Sequence, residues 1–292
     1  MIKNTIIVTG GAGFVGSNLI KFLIVKTKYR IISLDNYSSG SKKNHIKNKR
    51  IKYLLGETKD IKKIIKNTKN IHSIFHFGEF ARIYQSFINM NLCIESNSIG
   101  TNSVFNFCLE NKIKLIYSAT SASLGNKGND KNLSPYAFTK AKNLEYLENL
   151  KKWFNFKYEV IYFYNVYGPG QICKGKMATV IGIFEEAYKN NKPLPVVLPG
   201  TQTRRFTHIN DTIEICYLAW KKNLSRHYSI TNKYSFSILE VAKMFKSKII
   251  FKKKRLGERY SSALTDMNLS NKVYKYFGKI NLPDYIRQII SK

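Results

Sequence analysis

Apolar residues along this chain gather in short runs of two kinds. Residues 5–9, Thr-Ile-Ile-Val-Thr, are continuously apolar over the length of a strand, as in a strand covered on both faces. Residues 18–25 carry apolar positions at helical spacing. Further strand-like runs lie at 30–34, 71–77, 113–117 and 158–164. Residues 134–151 return to helical spacing, with Pro135 near the start, where proline fits the first turn. Alternating strands and helices predict an α/β fold: a doubly wound parallel sheet with helices on both faces. The pattern breaks after Asn165, at Gly168-Pro169-Gly170 and again at Pro193, Pro195, Pro199 and Gly200. A smaller C-terminal α/β lobe is expected there. The division is 1–165, with 206–232 returning to it, against 166–205 together with 233–292.

Composition narrows the possibilities. With 43% hydrophobic residues in 292, a full core can be buried. The opening Met1-Ile2-Lys3-Asn4 runs straight into a strand and lacks the pattern of a signal peptide. No apolar run approaches the roughly 20 residues of a membrane span, so no membrane partner is expected. Cys93, Cys108, Cys173 and Cys216 are scattered without a CxxC pair. That suggests reduced thiols in a cytoplasmic protein, and no metal site is expected. The net charge of +31 invites a nucleic-acid reading. The lysines, however, are spread along the whole chain beside abundant Asn and Ile, as an AT-rich genome produces. The densest run, Lys252-Lys253-Lys254-Arg255, is short and has no nucleic-acid-binding motif around it. No nucleic-acid partner is expected; a positive surface instead steers an anionic substrate inward.

The first strand leads into Thr9-Gly10-Gly11-Ala12-Gly13-Phe14-Val15-Gly16. Glycines at 10, 13 and 16 form a variant of the dinucleotide fingerprint in its required place, between a strand and a helix. Small residues let the backbone turn and approach a pyrophosphate, and the helix N-terminus supplies donors. The second strand ends at Asp35, about 20 residues on, where an acid binds the adenosine ribose. A carboxylate there repels a 2′-phosphate, and Asn36-Tyr37-Ser38-Ser39 brings no arginine. The expected unit is a Rossmann domain binding NAD rather than NADP.

Tyr136 and Lys140 stand four apart on one predicted helix, so both emerge from one face. A tyrosine, with a pKa of about 10, is a weak base at neutral pH. A nearby ammonium favours its phenolate. The pair suits general acid/base work on a sugar hydroxyl while hydride moves to or from a nicotinamide. The strand 113–117 ends in a run of hydroxyls from Ser118 to Ser123, at the strand end where open α/β sheets bind ligands.

Together these landmarks resemble the extended short-chain dehydrogenase/reductase family, in particular its NAD-dependent nucleotide-sugar epimerases and dehydratases. Others that carry the likeness are His76-Phe77-Gly78, residues 163–169 and Arg204-Arg205-Phe206. The nearest subgroup looks like UDP-glucose 4-epimerase. The resemblance implies that Tyr136 takes the proton of the sugar 4-hydroxyl, assisted by Thr120, while Lys140 binds the nicotinamide ribose. It implies tightly held NAD, contacted by Gly10, Gly13, Phe14, Val15 and Gly16. Asp35, Asn36, Ser38, Glu57 and Thr58 would surround the adenosine half. Phe77, Gly78, Glu79 and Tyr164 would complete the cofactor contacts. The nucleotide sugar, of UDP type, would meet Ser121, Asn165, Val180, Arg204, Arg255 and Glu258; arginines suit a diphosphate through their forked donors. A homodimer is also implied.

Three departures bear on the reaction. Family dehydratases carry an acid after the active-site Thr, and decarboxylating relatives a Glu two positions on; here Ser121 and Ala122 follow Thr120. This argues against dehydration and decarboxylation and for epimerisation at C4; the alternatives are a 4-keto-sugar reductase or a 4,6-dehydratase with a displaced acid, both of the same fold, and more distantly a non-catalytic NAD-binding protein. The loop from Gly125 to Tyr136 is short, and Arg205 stands where an Asp is common. Glu79 occupies a position where relatives have a small residue. It is expected to bind a ribose hydroxyl, contact the sugar or pair with Arg82.

Overall fold

The computed structural model describes residues 4–123, 130–257 and 273–291. The N-terminal half runs β1 (Thr5–Thr9), α1 (Phe14–Lys26), β2 (Arg30–Asp35), β3 (Ile51–Leu55), α2 (Ile61–Ile64), β4 (Ile71–His76), α3 (Ile83–Ile88), α4 (Met90–Ile94), a π-helical stretch (Glu95–Gly100), α5 (Thr101–Glu110), β5 (Lys114–Thr120), α6 (Pro135–Phe154) and β6 (Tyr158–Phe163). The rest runs β7 (Val166–Tyr167), α7 (Val180–Lys189), β8 (Leu194–Val197), β9 (Thr203–Arg205), β10 (Thr207–His208), α8 (Ile209–Lys222), β11 (His227–Thr231), β12 (Ser235–Ser237), α9 (Ile238–Met244), β13 (Ile249–Lys252), β14 (Val273–Phe277) and α10 (Leu282–Ile290).

Eight strands form one sheet in the order β14-β11-β6-β5-β4-β1-β2-β3, and every pairing in it is parallel. The order β3-β2-β1-β4-β5-β6 is the doubly wound Rossmann arrangement, and its direction reverses between β1 and β4. A crevice opens there at the carboxyl ends of the strands.

Strand alternation explains the two cores. Ile6 and Val8 point to one face and pack with Leu19, Ile20 and Leu23 of α1 and Ile213, Cys216 and Trp220 of α8. Ile7 points to the other and joins Val104, Phe105 and Cys108 of α5 with Leu147 and Leu150 of α6. A third core, around Phe184, Val196, Phe206, Val241, Phe245 and Ile286, holds the smaller lobe.

Two elements differ from the sequence-based expectation in ways that shape the site. The first helix begins at Phe14, directly on the glycine loop, rather than at 18; Gly16, Ser17 and Asn18 hide its apolar period. The fifth strand continues through Thr120, carrying the hydroxyl run within the sheet. In the C-terminal part, β11 pairs with β6. Residues 273–277, expected in the substrate lobe, pair with β11 in turn and cover what would be an open sheet edge. No described helix is long and apolar enough to cross a membrane.

Candidate active site

A cavity of about 1090 Å³ follows the crevice from the glycine loop to the smaller lobe. At one end, Gly10 adopts a positive φ of 68°, and a side chain there would press on the Phe77–Gly78 peptide at 2.8 Å. A side chain at Gly16 would strike the Gly10 carbonyl. Gly13 caps α1 without a side-chain acceptor. The loop is therefore kept bare, with the N–H groups of the first helical turn facing the cavity, an arrangement that fits a pyrophosphate. Phe14 and Val15 line the same wall.

Asp35 ends β2 beside this loop. Its carboxylate accepts from the Ala12 N–H at 2.9 Å and the Tyr37 N–H at 2.7 Å. Each oxygen keeps a lone pair for a ribose hydroxyl. Asn36 donates to the Glu57 carboxylate at 3.1–3.2 Å and accepts from the Ser38 N–H at 2.9 Å. Glu57, Thr58 and Ser38 line the cavity next to Asp35. The residues expected around an adenosine are thus brought together from two strand ends, those of β2 and β3.

Tyr136 and Lys140 lie one turn apart at the start of α6. Ser134 caps this helix, its hydroxyl accepting from the Ala137 N–H at 3.1 Å, and Pro135 occupies the first turn. Thr120 ends β5 and Ser121 follows it, and all four residues line the cavity. The Thr120 hydroxyl accepts from the Ala122 N–H at 3.2 Å. Asn165, Val180, Arg204 and Arg255 line the cavity from the smaller-lobe side. Asn165 donates to the Arg205 carbonyl at 2.8 Å, and the Arg255 guanidinium lies 5.3 Å from the Tyr84 ring. Glu258 lies outside the described residues.

Two expectations are corrected. Tyr164 is fully buried among core residues and does not line the cavity. Its hydroxyl accepts from Ser229 at 3.1 Å. Side chains alternate at the end of β6, so it is Phe163, not Tyr164, that faces the cleft. Glu79 pairs with Lys140 rather than Arg82. Arg82 turns instead to the Met177 carbonyl, with Nε at 2.9 Å.

The Glu79–Lys140 pair is the core of a larger polar network. Lys140 also donates to the Ser118 carbonyl, and its ammonium sits 4.7 Å from the Tyr117 ring centroid. Glu79 Oε1 accepts from Thr101 at 3.0 Å, Tyr117 at 3.1 Å and Asn143 at 3.3 Å. Thr101 contacts His76 Nε2 at 3.0 Å, and His76 Nδ1 lies 2.7 Å from the Thr9 hydroxyl. That hydroxyl accepts from the N–H groups of Phe77 and Gly78. Burial, and secondarily the Lys140 charge, outweigh Glu79 and push His76 down to about 4. Burial also lowers Lys140, opposed by Glu79. In Arg82 burial lowers the guanidinium, opposed by Tyr136. Sequence reading missed Thr9, His76, Thr101 and Asn143 as one network; Thr9 and His76 lay inside recognised motifs, Thr101 and Asn143 in none. It also missed Lys174 and Lys176 in the cavity wall, which nothing distinguishes among so many lysines.

A family model described as the NAD dependent epimerase/dehydratase family matches residues 6–231. The chain belongs to the NAD-dependent epimerase/dehydratase family. It is an enzyme of that type, and its cofactor is NAD. A family member from Methanocaldococcus jannaschii, provisionally named UDP-glucose 4-epimerase, is 28% identical and aligns over 98% of this chain and 97% of its own. Among solved structures of the fold, UDP-glucose 4-epimerase of Thermotoga maritima, with UDP-glucose, superposes with a TM-score of 0.86 at 23% identity. That match covers 98% of this chain and 97% of the other. The dTDP-glucose 4,6-dehydratase DesIV of Streptomyces venezuelae gives the same TM-score at 18% identity, covering 98% and 96%. Equal likeness to an epimerase and a dehydratase means that the family fold does not separate the two reactions; side chains in the site must.

Proposed function

We propose that the protein epimerises a nucleotide-linked hexose, of UDP type, at C4. The observation that carries this reading is the placement of Tyr136, Lys140 and Thr120 around one cavity whose strand end continues with Ser121 and Ala122 rather than an acid. General acid/base groups for a hydroxyl are present. The residues directly after Thr120 offer no carboxylate to protonate a leaving hydroxyl. The name of the Methanocaldococcus relative supports the substrate class.

In this reading NAD, when bound, supplies a reversible two-electron hydride acceptor. The bare glycine loop and Asp35 would hold its pyrophosphate and ribose. Tyr136 takes the proton from the sugar O4 and returns it to the same oxygen. Thr120 hydrogen-bonds that oxygen, and Lys140 favours the phenolate form of Tyr136. Because C4 is trigonal between the two proton transfers, the sugar can present either face, and no net oxidation results. Arg204 and Arg255 would hold the diphosphate across the cavity. Residues 166–205 would supply much of the sugar and nucleotide wall, and we place the working enzyme in the cytoplasm as a homodimer.

The test is to mix the purified protein, with no cofactor added, with UDP-glucose, UDP-galactose and their N-acetylamino counterparts, and to follow mass and proton NMR. A product of unchanged mass, inverted at C4, is expected. A product lighter by one water would make the enzyme a dehydratase. Turnover only of a 4-keto sugar in the presence of NADH would make it a reductase.

A further inference from the structure

The base of the cavity holds two opposite charges that are almost sealed from water: the side chains of Lys140 and Glu79 are 4% and 2% exposed. Glu79 lies on the turn that follows β4, where its own N–H donates to the Phe77 carbonyl at 3.0 Å. The neighbouring residue is fixed from the π-helical stretch. Asn97 accepts from the Phe80 N–H at 2.6 Å and donates to the Phe80 carbonyl at 3.0 Å. The Asn97 carbonyl accepts from Asn143 at 2.7 Å. Turn, π-helical stretch and α6 are therefore pinned together around the carboxylate.

The hydrogens around Glu79 can be assigned one by one. The Thr9 oxygen accepts two backbone N–H groups, so its own hydrogen goes to His76 Nδ1. His76, buried and neutral, then carries its proton on Nε2 and donates to Thr101. Thr101 in turn donates to Glu79. Tyr117 accepts from Asn143 at 3.1 Å and gives its hydrogen to Glu79. With the two Asn143 hydrogens on the Asn97 carbonyl and the Tyr117 hydroxyl, Thr101, Tyr117 and Lys140 each donate to the carboxylate, and the acceptor-only anion is the form that satisfies them all.

We propose that Glu79 is a positioning residue: its buried carboxylate holds the Lys140 ammonium charged and fixed beneath the reacting sugar. A lone ammonium in so dry a place sheds its proton, and a neutral Lys140 would leave Tyr136 without the charge it needs. The groups facing Lys140 are Glu79 from the turn, His76 from β4, Cys93 from α4 and Tyr117 from β5, and Tyr136 lies one turn before it on α6. Among these, Glu79 is the one carboxylate. Thr9, at the head of the glycine loop, is joined to the catalytic pair through His76, Thr101 and Glu79. The catalytic meaning of this rests on the epimerase reading, whereas the pairing itself does not.

The experiment is an NMR titration of the full chain with 13Cε-labelled lysine, the Lys140 signal being the one lost in Lys140→Arg. Its midpoint is expected to shift to lower pH in Glu79→Gln, with Glu79→Asp between that variant and the wild type. The Asp variant also serves alone if the Gln variant does not fold. An unchanged midpoint in the folded variants overturns the proposal, whatever their activity. In turnover, the alkaline limb of kcat is expected to move down in the same order; a limb that stays while the midpoint moves overturns the catalytic role. If the wild type turns over no nucleotide sugar, the epimerase reading fails, and the NMR order still decides whether Glu79 holds Lys140.

Discussion

His76 shows how one side chain couples the site to stability. It is fully buried between two threonine hydroxyls, and its pKa falls from an ordinary 6.5 to about 4, chiefly through burial. Between those values the unfolded chain binds the proton that the folded chain refuses. Stability from this group is therefore complete above about pH 6.5 and is lost as the pH falls toward 4. Considered alone, the group accounts for on the order of 3 kcal/mol. Urea unfolding at pH 7 and pH 5 is expected to show a smaller pH-dependent loss in His76→Gln than in the wild type. Equal losses would mean that other groups take up the protons. Sequence pattern singled out His76 only as part of a motif; nothing in it revealed the threonines at 9 and 101, which are brought together by sheet register and by α5.

Among the elements, α6 bears the proposed catalytic pair, and its first turn was legible. Ser134, Pro135 and the spacing of Tyr136 and Lys140 are local features, and the helix forms where they indicate. The cap holds the turn that bears Tyr136. Ser134→Ala is expected to cost about 1 kcal/mol, read as a lower urea midpoint at unchanged slope. A fall in kcat should accompany it, because the frayed turn carries Tyr136, the proposed base. An unchanged midpoint would show that Pro135 and packing suffice without the cap. The π-helical stretch at Glu95–Gly100, by contrast, had no sequence signal. It exists because Asn97 is drawn to Phe80, Thr139 and Asn143 at once, a tertiary demand that local propensity does not encode.

For the whole molecule, the proposed substrate would give the net charge of +31 a use in long-range attraction. Lys59, Arg82, Lys174, Lys176, Arg204 and Arg255 all line the cavity. A dianionic nucleotide sugar approaching such a mouth feels a field that salt screens, with the screening length falling from ~30 Å at 0.01 M to ~8 Å at 0.15 M. kcat/KM is therefore expected to decline over that range while kcat holds. A flat kcat/KM would show that the charge is spread too evenly to steer anything.

By itself the sequence determined the β1 turn with its glycines, the acid at the end of β2, the Tyr136–Lys140 spacing, and with them the fold class and family. These are short-range facts: a tight turn needs glycine, a parallel strand needs an apolar run, and one helix face needs a spacing of four. Only the tertiary structure decided where Glu79 and Arg82 turn, that Tyr164 faces the core, and that Val273–Phe277 joins the large sheet. Each of those depends on which distant group lies opposite, and a buried charge takes whichever partner the fold brings within reach.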